Sequence, residues 1–184
     1  MLANRIDTLL ARLLRGLAHI EIAALVAALS FIVISITVQV VTRYIFGNPI
    51  VWVEEASTYA FIWIAFLGAS VGAKQVRQIK VELLSSRLGE VGRRRLLVIG
   101  HIGMLLACLY LIKLTPAIMA IESRSYSISL PFTAPRMWFY SLPLFVFACL
   151  CALTSVAHLF RLLVLKDTSP MVAPFLSAEA GEPV

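Results

Sequence analysis

Four long runs without a charged residue set the strongest limit on how this chain can fold. They cover Ile22–Thr42, Ala56–Ala73, Leu96–Ile112 (continuing past Lys113 to Ile121) and Met137–Phe160. A helix needs roughly 20 apolar residues to cross the hydrocarbon core of a bilayer. Because lipid offers the backbone no hydrogen-bond partner, each run must fold as a helix that satisfies its own amide and carbonyl groups. The sequence therefore predicts an all-α integral membrane protein with four transmembrane helices.

The composition agrees with this class, since 60% of the 184 residues are hydrophobic, 14% are charged and the mean hydropathy is +0.92. Four crossings use most of the chain and leave no room for a soluble domain. We expect a membrane domain over residues 18–165. Its helices are predicted at about 20–46, 50–76, 95–121 and 136–164. Residues 166–184 are rich in Pro and Gly, which predicts a disordered tail.

Lys and Arg residues predict which side of the membrane each connection faces. The N-terminal segment, the second connection and the tail hold 12 of them, whereas the first and third connections hold 3. Cytoplasmic connections carry the excess of positive charge. Both termini are therefore predicted to be cytoplasmic, with the first run kept as an uncleaved anchor. The net charge of +6 follows from this bias, so we infer no binding of nucleic acid.

Two segments on the predicted cytoplasmic side have the pattern of short amphipathic helices. In residues 1–17, apolar and basic side chains fall on different faces, which predicts a helix lying on the membrane surface. The alternative is that this segment simply extends the first crossing into water. The apolar stripe there is formed by Leu2, Ile6, Leu9, Leu13 and Leu17, and the one in the second connection by Val81, Leu84, Leu88 and Val91.

The short first connection brings polar residues to the ends of two helices. Asn48 is predicted as a helix cap and Pro49 as an early helical residue. Glu54 and Glu55 then fall in the second turn, where adjacent side chains point about 100° apart. One acid could pair with Arg43 across the turn, while the other meets a second protein. The alternative is that both are solvated acids at the membrane interface.

Small and aromatic residues supply the remaining candidates for contact with a partner. Gly68 and Gly72 give the second helix a face of small residues, which allows helices to approach closely in lipid. Trp52, Trp138 and Tyr140 lie where the second and fourth crossings meet the predicted outer interface, a position that such rings favour. We therefore predict interface roles for Arg43, Trp52, Glu54, Glu55, Gly68, Gly72, Trp138 and Tyr140.

The sequence offers little for catalysis or for binding a cofactor or metal. It shows no nucleophile–base pair, phosphate loop or zinc spacing, and Cys108, Cys149 and Cys151 all fall inside predicted membrane helices. Two alternatives remain. His19, His101 and His158 could hold a haem as in four-helix membrane cytochromes. A self-sufficient small multidrug-type transporter would need an acid in mid-membrane, whereas Glu21, Glu54, Glu55 and Glu122 are all predicted at helix ends.

Several motifs resemble those of a known family. They are Arg43-Tyr44, Trp52-x-Glu54-Glu55, Phe66-Leu67-Gly68-Ala69 and the run from Pro135 to Pro143. Together they resemble the small membrane subunit of tripartite ATP-independent periplasmic (TRAP) transporters, the DctQ-like family. The resemblance covers about residues 20–165. Where the family often has a His and an Asp after the second helix, this chain has Lys80 and Glu82.

The resemblance implies a function that the residues themselves do not show. In this family, a periplasmic binding protein delivers an organic anion to a large membrane subunit, which carries it with sodium by an elevator motion. The small subunit is a scaffold beside the large one. It implies a protein of the bacterial inner membrane that is not an enzyme, binds neither substrate nor cofactor, and contacts the large subunit, the binding protein and membrane lipids.

Overall fold

A computed structural model describes residues 2–74 and 90–165 of the chain. It contains the helices α1 (Leu2–Ile45), α2 (Trp52–Lys74), α3 (Glu90–Glu122) and α4 (Ser141–Phe160). A 3-10 turn, Arg136–Trp138, precedes α4, and a π-helical turn, Arg161–Leu165, follows it. Within these described ranges, four helical segments are long and apolar enough to cross a membrane, which confirms the predicted all-α fold with four membrane helices.

The chain divides into two compact units. Of the described residues, the first unit comprises 2–20, 70–74, 90–109 and 149–165, and the second comprises Glu21–Ala69 and Tyr110–Ala148. The core of the first unit is formed by Leu14, Ala18 and Ala157, which are fully buried. The second unit buries Val53 and Tyr59 of α2 and Ala148 of α4. Each unit thus has its own buried centre.

Helix α1 is one continuous helix and has no break after residue 17. Its 44 residues, at about 1.5 Å each, make it about 66 Å long, roughly twice the ~30 Å of hydrocarbon that a span must cross. Part of α1 must therefore lie outside the membrane core. Near its amino end the buried side chains are Leu14 and Ala18, whereas Leu9 and Leu13 of the predicted stripe are exposed. A surface position for residues 1–17 stays a prediction.

The corner between α1 and α2 differs from the prediction. Gly47 has a φ of +65°, a conformation that glycine adopts without steric cost, and it ends α1. Residues 48–50 are not helical, and α2 begins at Trp52 rather than at Pro49. The predicted cap was wrong, since the first turn of α2 starts after Pro49, with the carbonyl of Ile50 accepting the amide of Val53 at 3.3 Å. Consequently Glu54 and Glu55 lie in the first turn of α2, nearer the positive end of the helix dipole.

The connection between α3 and α4 folds into a small, ordered loop. The amide of Ser127 donates to the carbonyl of Ala134 at 2.9 Å, and that of Arg136 donates to Ser125 at the same distance. The carboxylate of Glu55 accepts the backbone amides of Ile128, at 3.2 Å, and Ser129, at 2.6 Å. It also accepts the hydroxyl of Tyr59. A single acid on α2 therefore holds a loop more than 70 residues away in sequence.

Much of the apolar surface of the helices is not covered by other described residues. In the most apolar 18-residue stretch of α1 only 6% is buried, compared with 39% in the corresponding stretch of the segment that contains α4. In lipid, exposed apolar side chains carry no penalty, and helices associate through packing and polar contacts. Hydroxyls in the spans bond to their own helix, as Thr115 does to the carbonyl of Leu111 at 2.7 Å. Helix α1 therefore offers the largest surface for lipid or for another protein.

Two predicted features lie outside the described residues. These are the amphipathic stripe of the second connection, apart from Val91, which lies in α3, and the tail at residues 166–184.

The Glu55 contacts predict that Glu55→Gln loosens the loop selectively. A glutamine keeps one oxygen acceptor but loses the charge and turns an amide group towards a backbone donor. Hydrogen bonds to a charged group are worth about 1.5–3 kcal/mol, so we expect a stability loss of about 2 kcal/mol in detergent. Hydrogen exchange should be faster at the amides of Ile128 and Ser129. The control is Glu54→Gln, which should leave both amides protected; equal effects of the two changes would contradict the assignment.

Candidate functional site

The polar residues at the ends of α1 and α2 surround a groove of about 570 Å³ in the second unit. Its walls are mainly apolar, and its polar groups are few, as is common in ligand sites. The lining residues are Ile32, Ile36, Gln39, Val40, Arg43, Tyr44, Glu54, Ser57, Thr58 and Phe61. This groove contains two of the predicted interface residues, Arg43 and Glu54.

The predicted ion pair of Arg43 is replaced by a different contact. The side-chain amide of Gln39 donates to Glu54 Oε1 at 2.9 Å. Within the described ranges no ion pair or hydrogen bond joins Arg43 to Glu54 or Glu55. Gln39 lies one turn before Arg43 on the same side of α1. Gln39, rather than Arg43, is therefore the donor to the Glu54 carboxylate. The exposed Arg43 lines the groove instead.

The two acids of the Glu54–Glu55 pair have separate environments, as their angular separation predicted. Glu55 is half-buried and bound within the chain by the loop amides and by Tyr59. Glu54 is exposed. Of the two acids, Glu54 is therefore the one that remains available to a partner. Its role in an interface stays a prediction.

A second pocket, of about 450 Å³, is almost entirely apolar and rich in aromatic rings. Trp52 lines it together with Tyr59 and Phe139, whose rings stack in parallel with centroids 4.1 Å apart. Tyr140 meets Tyr59 edge-on at 5.6 Å. Trp138 lies in the 3-10 turn before α4 and is 51% exposed. Trp52 and Tyr140 thus help to pack this end of the second unit, while Trp138 faces outward.

The two predicted small residues of α2 are not tightly packed against any described residue. A methyl group built at Gly68 would meet no atom within 4 Å, and the same holds at Gly72. Neither glycine is therefore required for close approach of another helix of the described chain. Contact of these residues with a partner helix stays a prediction.

The histidines of the haem alternative adopt a geometry unlike that of paired axial ligands. His101 and His158 in the first unit stack face to face, with ring centroids 5.0 Å apart and planes 4° from parallel. Axial ligands instead point their ring nitrogens at a shared iron. His19 contacts the carbonyl of Arg15 through Nδ1 at 2.7 Å. Among the described residues no group of three or more His, Cys, Asp or Glu is placed to hold a metal.

Sequence reasoning missed several residues that build these sites. Gln39 is a long polar side chain within the first charge-free run, one turn before Arg43, and this spacing was a usable signal. Tyr59 follows Glu55 by four residues, so the two lie on one helix face. No sequence pattern predicts the contacts of Glu55 with the loop, because they join residues far apart in sequence. For the same reason, no pattern predicts that Arg94 donates to the carbonyl of Leu162, at 2.8 Å.

The Gln39 contact predicts the result of two double-mutant cycles. Changing Gln39 and Glu54 to Ala, singly and together, should give a coupling energy of about 1–2 kcal/mol in thermal unfolding in detergent, because a hydrogen bond to a carboxylate is lost. The matched cycle of Arg43 and Glu54 should give a value near zero. A larger coupling energy for Arg43 than for Gln39 would indicate an ion pair between Arg43 and Glu54 and refute this arrangement.

Comparison with known proteins places these features in a family. The sequence model of the family described as tripartite ATP-independent periplasmic transporters, DctQ component, matches residues 32–165. The chain is 34% identical over 105 residues to a TRAP transporter small permease protein of Haemophilus influenzae, an alignment that covers 55% of this chain and 65% of the relative. It is 35% identical over 77 residues to the isethionate TRAP transporter permease protein DctMQ of Oleidesulfovibrio alaskensis, covering 39% of this chain and 12% of that protein.

Each alignment thus spans less than two thirds of the relative's length. The family match, however, covers well over half of this chain and includes the corner at Arg43, all of α2 and the entry to α4. The chain therefore belongs to the DctQ-component family of tripartite ATP-independent periplasmic transporters.

Proposed function

We propose that this chain is the small permease subunit of a TRAP-type secondary transporter and acts as a scaffold for a larger membrane subunit. Family membership supports the transporter role. The relative named DctMQ supports a large partner, because one chain there combines the DctQ region with a much longer remainder. In this proposal the large subunit moves an organic anion, a carboxylate, with sodium by an elevator motion. A periplasmic binding protein delivers the anion.

The observation that carries the scaffold role is an apolar face of α1 that the described residues leave exposed. Ile34, Val38, Val41 and Ile45 recur at helical spacing and are 40–72% exposed. By helical geometry this face points away from the groove side, where Ile32, Ile36 and Gln39 lie. A membrane helix can leave such a face to lipid, but the combined DctMQ relative favours a protein. We therefore assign this face to the large subunit.

The positions of the acids support a scaffold over a carrier. Glu54, Glu55 and Glu122 lie in the first or last turn of their helices. Glu21 lies within α1, which differs from its predicted place at a helix end. It precedes Ile45 by 24 residues, about 36 Å along the helix, which exceeds the ~30 Å hydrocarbon thickness. If Ile45 marks one interface, Glu21 lies at the other.

The function is tested by purification and reconstitution. A tagged chain should co-purify a large membrane subunit, and proteoliposomes holding both should take up an organic anion when sodium and the binding protein are supplied. The chain alone should give no uptake, because its acids lie at the interfaces. Sodium-driven uptake by the chain alone would refute the scaffold role.

The docking face is tested by Val38→Trp. A bulky ring in the middle of this face should prevent close packing of the large subunit, since overpacking typically costs about 1–3 kcal/mol, a roughly tenfold loss of co-purified partner. The control is Val26→Trp, at a comparably exposed site of α1 that points about 120° away. Equal recovery of the partner with both variants would exclude this face as the contact.

We also propose that the chain spans the bacterial inner membrane with both termini cytoplasmic. The distribution of Lys and Arg, 12 against 3, supports this orientation. A fluorescent protein fused after Lys166 should fluoresce, whereas alkaline phosphatase fused there should be inactive. Matched fusions in the loop at Arg124 should give the opposite pattern. An active phosphatase at Lys166 would reverse the orientation.

A further inference from the structure

The groove between α1 and α2 has a polar end and an apolar end. Arg43 lies in the last turn of α1 and Glu54 in the first turn of α2, so their charges lie where the two helices end. The apolar wall runs back along α1 through Val40, Ile36 and Ile32. A membrane-spanning helix pair with this arrangement has its charges at the interface and its apolar wall within the hydrocarbon.

The length of the groove corresponds to one leaflet. Eleven residues separate Ile32 from Arg43, which at about 1.5 Å per residue is about 16 Å. Half of the ~30 Å hydrocarbon core is about 15 Å. The apolar wall therefore has the length of a lipid acyl chain, measured from the headgroup level towards the middle of the bilayer.

The two charges at the polar end are separate and of opposite sign. The side chain of Arg43 makes no ion pair or hydrogen bond with any described residue, and its guanidinium presents donors in a fork that suits phosphate. Glu54 uses one oxygen for Gln39 and is exposed. Its carboxylate can accept hydrogen bonds from an ammonium group, and the hydroxyl of Ser57 lies in the same groove.

We propose that this groove binds one molecule of phosphatidylethanolamine. Its phosphate lies against Arg43, its ammonium group against Glu54, and one acyl chain along Ile36 and Ile32. The charges select this lipid: the anionic phosphatidylglycerol would satisfy Arg43 but would meet repulsion from Glu54. A free phosphate would leave the apolar wall empty. This site lies on a different side of α1 from the face assigned to the large subunit, and it does not depend on the transporter role.

Photo-crosslinking tests which molecule fills the groove. The purified full chain, with any subunit that co-purifies, carries benzoylphenylalanine at Ile36 and is placed in vesicles of equal parts phosphatidylethanolamine and phosphatidylglycerol. Mass spectrometry should find lipid adducts in which phosphatidylethanolamine exceeds phosphatidylglycerol about tenfold, the effect of one charge-assisted hydrogen bond. The control probe at Val33, which is exposed but outside the groove, should return the supplied ratio.

Charge variants test the headgroup assignment. Arg43→Gln should lower the phosphatidylethanolamine adduct about tenfold, because its phosphate loses a charged donor. Glu54→Gln should raise the phosphatidylglycerol adduct and bring the two lipids to similar yields. Arg124→Gln, an equal change of charge at an exposed site outside the groove, should alter neither yield. Unchanged elution of each variant in size-exclusion chromatography shows that it keeps its fold.

Three outcomes would overturn the proposal. Equal adducts of both lipids in the unmodified groove would mean that the headgroup is not recognised. An adduct to another protein would mean that a partner helix fills the groove. The absence of lipid adducts at Ile36, with normal labelling at Val33, would mean that the groove is empty of lipid.

Discussion

One constraint governs this structure: each membrane segment must provide hydrogen-bond partners for all of its own backbone amides and carbonyls. In hydrocarbon an unpaired backbone group costs several kcal/mol, so the four apolar segments are helical. The same constraint explains where hydroxyls bond. Thr37, Thr115 and Thr154 each donate to a carbonyl four residues earlier in their own helix. Specific long-range polar contacts in the second unit therefore concentrate where helices end.

Two neighbouring acids show how such contacts divide between structure and recognition. Glu55 is committed to the loop between α3 and α4 through two backbone amides and to Tyr59. Glu54, one residue before it, makes a single bond to Gln39 and stays exposed. Because adjacent helical residues point about 100° apart, the first can order the chain while the second faces outward. One short motif thus contributes a structural residue and a candidate ligand.

The described residues cover little of the apolar surface of α1. The most apolar stretch of this helix is only 6% buried, so most of the helix is open to lipid or protein. The proposed scaffold face contains only apolar residues, whereas the proposed lipid groove ends in two opposite charges. Close packing in lipid suits the first, and recognition of a zwitterionic headgroup suits the second. The two proposals therefore assign separate faces of one helix to separate occupants.

The sequence by itself determined the class of fold, because the length of an apolar run without charges decides whether that segment can span a bilayer. The segments of α2, α3 and α4 follow from it. The family resemblance came instead from short motifs, and the match over residues 32–165 supports it. Local pattern also placed Arg43, Trp52 and Glu54 at the ends of α1 and α2. It failed at Asn48 and Pro49, which both lie before the start of α2 at Trp52.

Only the tertiary structure decided which side chains meet. It paired Glu54 with Gln39 rather than with Arg43, and it joined Glu55 to Ile128 and Ser129. These contacts depend on the angle between helices and on the path of a loop distant in sequence. Neither quantity is encoded in hydropathy or charge spacing, since both arise from the packing of elements that are already formed.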